Sequence, residues 1–117
     1  MTHDAALAHD LDGLQFRMVS STASRVDPEA PTRFAYRQDG ALVWGSYLGD
    51  TVTQGRFVGE LQRERLSISF AHALRTDGTV VRGEAISRVE RRTDGLLYLV
   101  ESFAVDGVDH ESVCVQV

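Results

Sequence analysis

Hydrophobic and polar residues alternate along most of this chain, in short segments rich in Val, Ile, Leu, Phe and Tyr. These residue types suit a pleated and half-buried surface, and a repeat of two residues is typical of strands. Asp-Gly pairs recur between the segments, at 12–13, 39–40, 77–78, 94–95 and 106–107. The pair supplies the positive φ angles that a tight hairpin turn needs. The pattern predicts strands at 14–22, 32–38, 41–48, 51–61, 65–74, 79–90, 96–105 and 108–117.

Consecutive antiparallel strands leave two unpaired edges unless the sheet closes on itself. We therefore predict an all-β fold, an eight-stranded antiparallel up-and-down barrel, as a single domain over 14–117. An interior of this size is either filled by side chains or holds one small ligand. Residues 1–13 are predicted to form a flexible or short helical N-terminus. The segment "STASRVDPEAPT", with both prolines, is predicted to form a long surface loop between the first two strands.

The alternation also sorts side chains into two faces of each strand. In the fifth strand the bulky face ends in His72, and in the seventh strand Glu101 shares an apolar face with Phe103. A carboxylate on an inner face needs a partner, so we expect an Arg, Tyr or His close to Glu101. Glu111 and Ser112, near the last turn, are interpreted as an exposed pair.

Composition narrows the classes of partner. The chain has 117 residues with 43% hydrophobic content and a net charge of -5, which describes a soluble globular domain. Nucleic acid is not expected, because it is bound by clustered basic residues that this chain lacks. No apolar run approaches the roughly 20 residues of a membrane helix, and no secretory signal is recognised, so no membrane contact and a cytoplasmic location are expected. The single Cys114 is expected in the core, and neither a metal nor a cofactor is expected.

Several stretches of the chain carry a family resemblance. "FAYRQDGALVWGSYLGDTVTQGRFVGEL", "FAHALRTDGTVVRGEA" and "RRTDGLLYLVESF" resemble a family of small uncharacterised bacterial proteins with the pattern "FxYxQxGxxVWxxYxGGxxxxGxLxG". The resemblance covers about residues 16–117 and implies a calycin-type, lipocalin-like β-barrel. Some members carry the name N-acetylglutamate synthase, but this chain has no recognisable acetyl-coenzyme A loop. Where the family has "EKWQWT", this chain has "ESFAVD", with Phe103 and Val105 in place of the tryptophans, which implies a different cavity shape.

Two functional hypotheses are open. In the first, the barrel binds a small, largely apolar or aromatic organic molecule. In the second, the same cavity belongs to a cofactor-free enzyme, a cyclase or isomerase of a small-molecule or natural-product substrate, in which Glu101 and His72 are catalytic and move a proton. A filled barrel with a structural role is a further alternative, and a homodimer is left open. The candidate ligand-binding residues are Tyr36, Trp44, Tyr47, Phe70, His72, Tyr98, Glu101 and Phe103.

Overall fold

Eight antiparallel strands close into an up-and-down barrel in the computed structural model, which describes residues 9–23, 26–105 and 107–117. Each strand pairs with the next along the chain, and the first pairs with the last. The predicted fold class is confirmed, and every strand begins and ends within one residue of its predicted limit. The strands are β1 (Gln15–Ser21), β2 (Arg33–Asp39), β3 (Leu42–Gly49), β4 (Val52–Gln62), β5 (Arg65–Leu74), β6 (Val80–Arg91), β7 (Leu97–Val105) and β8 (Val108–Gln116).

Turn chemistry explains why the strand limits could be predicted. Gly40 and Gly95 follow an aspartate in the β2–β3 and β6–β7 hairpins, with φ angles of 60° and 83°. Glycine adopts such angles without the steric cost that a side chain brings. The Asp94 carboxylate also accepts a hydrogen bond from the Leu96 amide at 2.9 Å, which fixes the turn locally.

One end of the barrel is closed by the segment before β1. Leu11 is fully buried in the core, and the Gly13 amide donates to the Tyr36 carbonyl at 2.9 Å. The Asp12 carboxylate accepts hydrogen bonds from the Gln38 amide and from the Arg37 side chain. Residues 9–14 therefore plug this end, with a turn at 12–13. The predicted helical or flexible terminus falls mainly on residues 1–8, outside the described residues.

The opposite end carries the long loop between β1 and β2. Two hydrogen bonds hold the end of this loop against the β3–β4 turn. The Asp50 amide donates to the Ala30 carbonyl, and the Thr32 hydroxyl donates to the Gly49 carbonyl. Gly49 has a φ of 114°, and a Cβ there would lie 2.4 Å from the Pro31 carbonyl oxygen. Only glycine allows the loop and the β3–β4 turn to approach this closely. The two connections together form one side of the open rim.

The core lies along the barrel axis and is most densely packed towards the closed end. Its fully buried side chains include Phe16, Val43, Leu61, Leu66 and Val89. Cys114 is 5% exposed, which confirms the prediction that it is a core residue. No helix within the described ranges has the length and apolar character needed to cross a membrane.

Candidate functional site

A cavity of about 180 Å³ occupies the open half of the barrel. Its lining comes from the inner faces of the strands and, at the rim, from the β1–β2 and β3–β4 connections, which contribute Ala23, Thr32, Asp50 and Thr51. The plug formed by residues 9–14 lies at the other end and does not contribute to it. The barrel is therefore filled at one end and hollow at the other.

One side of the cavity is aromatic. We call it the aromatic wall, and it consists of Phe34, Tyr47, Phe57, Phe70 and His72, from β2 to β5. The Phe34 and Tyr47 rings stack with centroids 5.1 Å apart. The Phe70 ring stacks on the His72 imidazole at 5.9 Å. Offset stacking and edge contacts of this kind stabilise aromatic pairs beyond simple area burial, so the wall is a pre-arranged apolar surface.

Glycines on neighbouring strands set the positions of the rings. Gly55 lies opposite Tyr47 in the β3–β4 pairing, and a Cβ at Gly55 would come within 2.5 Å of the Tyr47 ring. Gly83 bears the same relation to Phe70, with a Cβ contact of 2.9 Å. A ring that covers a strand glycine is a known way of packing a curved sheet. The glycines therefore let the rings lie against the wall rather than project across the cavity.

A hydrogen bond links two members of the aromatic wall. Tyr47 Oη and His72 Nδ1 are 2.7 Å apart. Burial lowers the pKa of His72 from its ordinary value of 6.5, and burial with the nearby Glu101 carboxylate raises the pKa of Tyr47. Both groups are therefore neutral at pH 7.

The other side of the cavity is polar. Four residues stand at adjacent register positions across β6, β7, β8 and β1, and we call them the polar row: Ser87, Glu101, Ser112 and Ser21. The Ser112 hydroxyl donates to the Ser21 hydroxyl at 3.0 Å. Ser87 and Ser112 are both 1% exposed. Apart from Ser87, each member of the row reaches the cavity.

Glu101 is the unusual member of the polar row. The sequence predicted an Arg, Tyr or His close to it. Tyr36 and Tyr47 lie near enough for the Glu101 charge to raise their pKa values, but no described side chain forms a hydrogen bond or ion pair with the Glu101 carboxyl group. The nearest strand neighbours on its face are the two serines, and the arginines point out of the barrel. Burial alone raises the pKa of Glu101 from 4.5 to about 7, because a carboxylate loses hydration there without gaining a partner.

The cavity brings together most of the residues selected from the sequence. Tyr47, Phe70, His72, Glu101 and Phe103 all line it. Phe103 stacks on the His110 imidazole, with ring centroids 5.7 Å apart.

Three of the selected aromatic residues lie elsewhere. Tyr36 is buried at the closed end of the barrel, where its ring contacts Phe57 with centroids 4.6 Å apart. Trp44 is 37% exposed on the outer face of β3. Tyr98 lies on the outer face of β7, where its hydroxyl donates to Asp94 at 2.6 Å and the Arg92 guanidinium covers its ring. Trp44 and Tyr98 were selected because β3 and β7 each carry aromatic residues on both faces. Trp44 and Tyr98 lie on the outer faces, and Tyr47 and Phe103 on the inner faces.

Several lining residues were not selected from the sequence. The alternation could have identified Phe34 as an inward-facing residue, because it shares a face of β2 with Tyr36. Ser112 was interpreted as exposed together with Glu111, whereas the structure buries Ser112 and exposes Glu111. Neighbouring residues of a strand face opposite sides, and that rule was the signal that could have identified Ser112. Within the described ranges, His, Cys, Asp and Glu side chains form no cluster of three that could hold a metal ion.

A closed eight-stranded barrel with a hollow end, an aromatic wall and a polar row defines a calycin-type barrel with an internal cavity. A family model described as "Avidin-like protein" matches residues 9–117, so the chain belongs to the avidin-like family. The comparison with curated proteins and with solved structures gives no match. An avidin-like barrel suggests binding of a small ligand inside the barrel.

Proposed function

We propose that this protein binds one small, largely apolar or aromatic organic molecule inside the open half of its barrel. The observation that carries the proposal is the cavity of about 180 Å³ between the aromatic wall and the polar row. Apolar protein cavities of about 150 Å³ are large enough to take benzene. A single ring with a short polar substituent is therefore the size of molecule that suits this site.

The two sides of the cavity have different roles in this proposal. The rings of Phe34 and Phe70 supply apolar contact area, worth about 25 cal/mol for each Å² removed from water. The Ser112 hydroxyl and the Glu101 carboxyl group supply hydrogen bonds that orient the ligand. Because the glycines and the stacked rings hold the wall in place, little side-chain entropy is lost on binding.

Nuclear magnetic resonance with 2-phenylethanol tests the proposal. We expect amide shifts at Phe34, Phe70 and Glu101, and no change at the indole signal of Trp44, which lies outside the barrel. Ser112→Leu fills the cavity and should abolish the shifts. Ser102→Leu is the matched control, since Ser102 is an exposed serine on the outer face of β7. Shifts that are unchanged in Ser112→Leu, or that centre on Trp44, would disprove binding in this cavity.

The pKa of Glu101 supports a second candidate, the cofactor-free enzyme. A carboxyl group with a pKa of about 7 can both accept and donate a proton near neutral pH, as a general acid-base catalyst must. Native mass spectrometry of the purified protein would identify a retained molecule to test as substrate. An enzyme of this kind loses about 10²- to 10⁴-fold in rate in Glu101→Gln, whereas a binding protein shows no turnover in either form.

The cytoplasmic location and the homodimer stay proposals. Trp44 and Val58 pair on the outer face of β3 and β4 and are 37% and 50% exposed. They give the outer surface an apolar area at which a second copy can pack. Sedimentation velocity of the wild type and of Trp44→Arg tests this. A dimer that Trp44→Arg dissociates would show that two copies pack through this area, and a monomeric wild type would contradict it.

A further inference from the structure

Among the described residues, the charged side chains that line the cavity are all acidic. Asp50 at the rim and Glu101 in the polar row are the acidic lining residues. Every arginine that the structure describes is exposed, and none of them lines the cavity. The other ionisable side chains that the described residues bring to the lining are His72 and Tyr47, which are neutral at pH 7 because burial lowers the pKa of His72 and raises the pKa of Tyr47. The cavity therefore attracts cations and repels anions.

Glu101 has an unmet requirement for a partner. Within the described part of the chain no cation neutralises its carboxylate, and no side chain donates a hydrogen bond to it. An unpaired carboxylate in such surroundings is unfavourable unless a donor or a positive charge is supplied. Water in the open cavity can donate hydrogen bonds to the carboxylate, whereas a positive charge has to be brought by a ligand.

The aromatic wall suits the same kind of ligand. In the closed barrel β3 lies opposite β7 in strand order, so Tyr47 and Glu101 come from opposite sides. The faces of aromatic rings carry partial negative charge and attract cations, with a contribution of about 0.5 to 2 kcal/mol. An organic cation with a ring thus finds a favourable contact on both sides of the cavity.

We propose that the ligand is a small arylalkylamine in its protonated form, with its ammonium group paired to the Glu101 carboxylate and its ring against Phe34 and Phe70. This inference rests on the proposed function, because it names the ligand class for the same cavity. An aromatic carboxylate is disfavoured by Glu101 and Asp50. A neutral molecule would leave the Glu101 charge unmatched.

Isothermal titration calorimetry at about pH 8 with three probes of similar size tests the inference. The probes are 2-phenylethylamine as the cation, 2-phenylethanol as the neutral molecule and 3-phenylpropionate as the anion. We expect the amine to bind at least about tenfold more tightly than the alcohol, and the anion to bind most weakly. Glu101→Gln should reduce the affinity for the amine to that for the alcohol. Glu84→Gln, an exposed carboxylate on the outer face of β6, should change nothing.

The pH dependence adds a second readout. Affinity for the amine should fall as the pH decreases through about 7, because Glu101 then takes up a proton. Tyr36, Tyr47 and Cys114 face Glu101 from β2, β3 and β8, and all three have raised pKa values. They stay neutral over this range, so a pH dependence that remains in Glu101→Gln is assigned to His72.

The outcomes separate this inference from the proposed function. Binding of the alcohol with equal or weaker binding of the amine overturns the amine inference and leaves the cavity as a binding site. Amine binding that is unchanged in Glu101→Gln also overturns it. Failure of all three probes to bind contradicts the proposed function and the inference together.

Discussion

Glu101 lines the candidate site and destabilises the folded state. Its carboxyl group is placed in an apolar cavity that raises its pKa from 4.5 to about 7. In the interval between these values the folded chain keeps a proton that the unfolded chain has lost, so folding is progressively disfavoured as the pH rises. Above about pH 7 the full cost is present, up to about 3 kcal/mol. Residues that destabilise a fold in this way are typical of functional sites.

Removing the Glu101 charge should therefore stabilise the protein. We expect Glu101→Gln to gain stability relative to the wild type as the pH rises from about 4.5 to about 7, and to keep that advantage at higher pH. Urea unfolding at a series of pH values measures it. His72 acts in the opposite direction, because its lowered pKa makes stability rise with pH, but its effect is common to both proteins. Glu84→Gln serves as the control, and a constant difference between Glu101→Gln and wild type would contradict the assignment.

The sequence predicted that Glu101 faces the inside of the barrel, but it did not predict that no described side chain bonds to its carboxyl group. Period-two alternation placed it on the inner face of β7 with Leu97, Leu99 and Phe103. Whether a partner reaches it depends on side chains from the far side of the barrel, and no local pattern specifies those. For the same reason Trp44 and Tyr98 were selected with the site: both lie on strands whose two faces are mixed, and alternation alone does not tell which face is inside.

At the scale of the strands, paired glycines and rings shape the cavity. We expect Gly55→Ala to displace the Tyr47 ring, because the new Cβ would lie 2.5 Å from it. Overpacking of this kind costs about 1 to 3 kcal/mol. A double-mutant cycle with Tyr47→Ala measures the coupling by urea unfolding. In the Tyr47→Ala background the cost of Gly55→Ala should largely disappear, and an equal cost in both backgrounds would contradict this role of Gly55.

The segment of residues 9–14 acts as an element although it is neither helix nor strand. Leu11 is 0% exposed, so Leu11→Ala should destabilise the fold by about 2 to 5 kcal/mol. Leu42→Ala is the matched control, since Leu42 is 52% exposed and its truncation should cost about 0.5 kcal/mol or less. Thermal unfolding compares the two. Similar losses in both variants would show that the segment does not close the barrel.

The strands themselves were predictable because local chemistry specifies them. Asp-Gly turns such as those at Gly40 and Gly95 fix where a hairpin reverses, and β-branched and aromatic residues fill the stretches between. The plug was not predictable, because Leu11 is buried through contacts with strands far along the chain. Likewise, the hydrogen bond between Asp50 and Ala30 of the β1–β2 loop is a tertiary contact, and the alternation of hydrophobic and polar residues does not predict it.

At the scale of the whole molecule, the barrel is asymmetric along its axis. The plug and the large side chains around Phe16 fill one end, while glycines and serines leave room at the other. The filled end supplies the burial that a domain of this size needs for stability. This division lets the open half keep a cavity and an unpaired carboxyl group without loss of the fold.

Anomalous diffraction from crystals soaked with 2-(4-bromophenyl)ethanol tests the central claim most directly, because bromine locates the molecule independently of any assumed pose. The account predicts one bromine peak inside the barrel, between the aromatic wall and Glu101, and its loss in crystals of Ser112→Leu. An empty cavity in fully soaked crystals, or bromine only on the outer surface near Trp44, would contradict the proposal that this avidin-like barrel binds its ligand in the cavity.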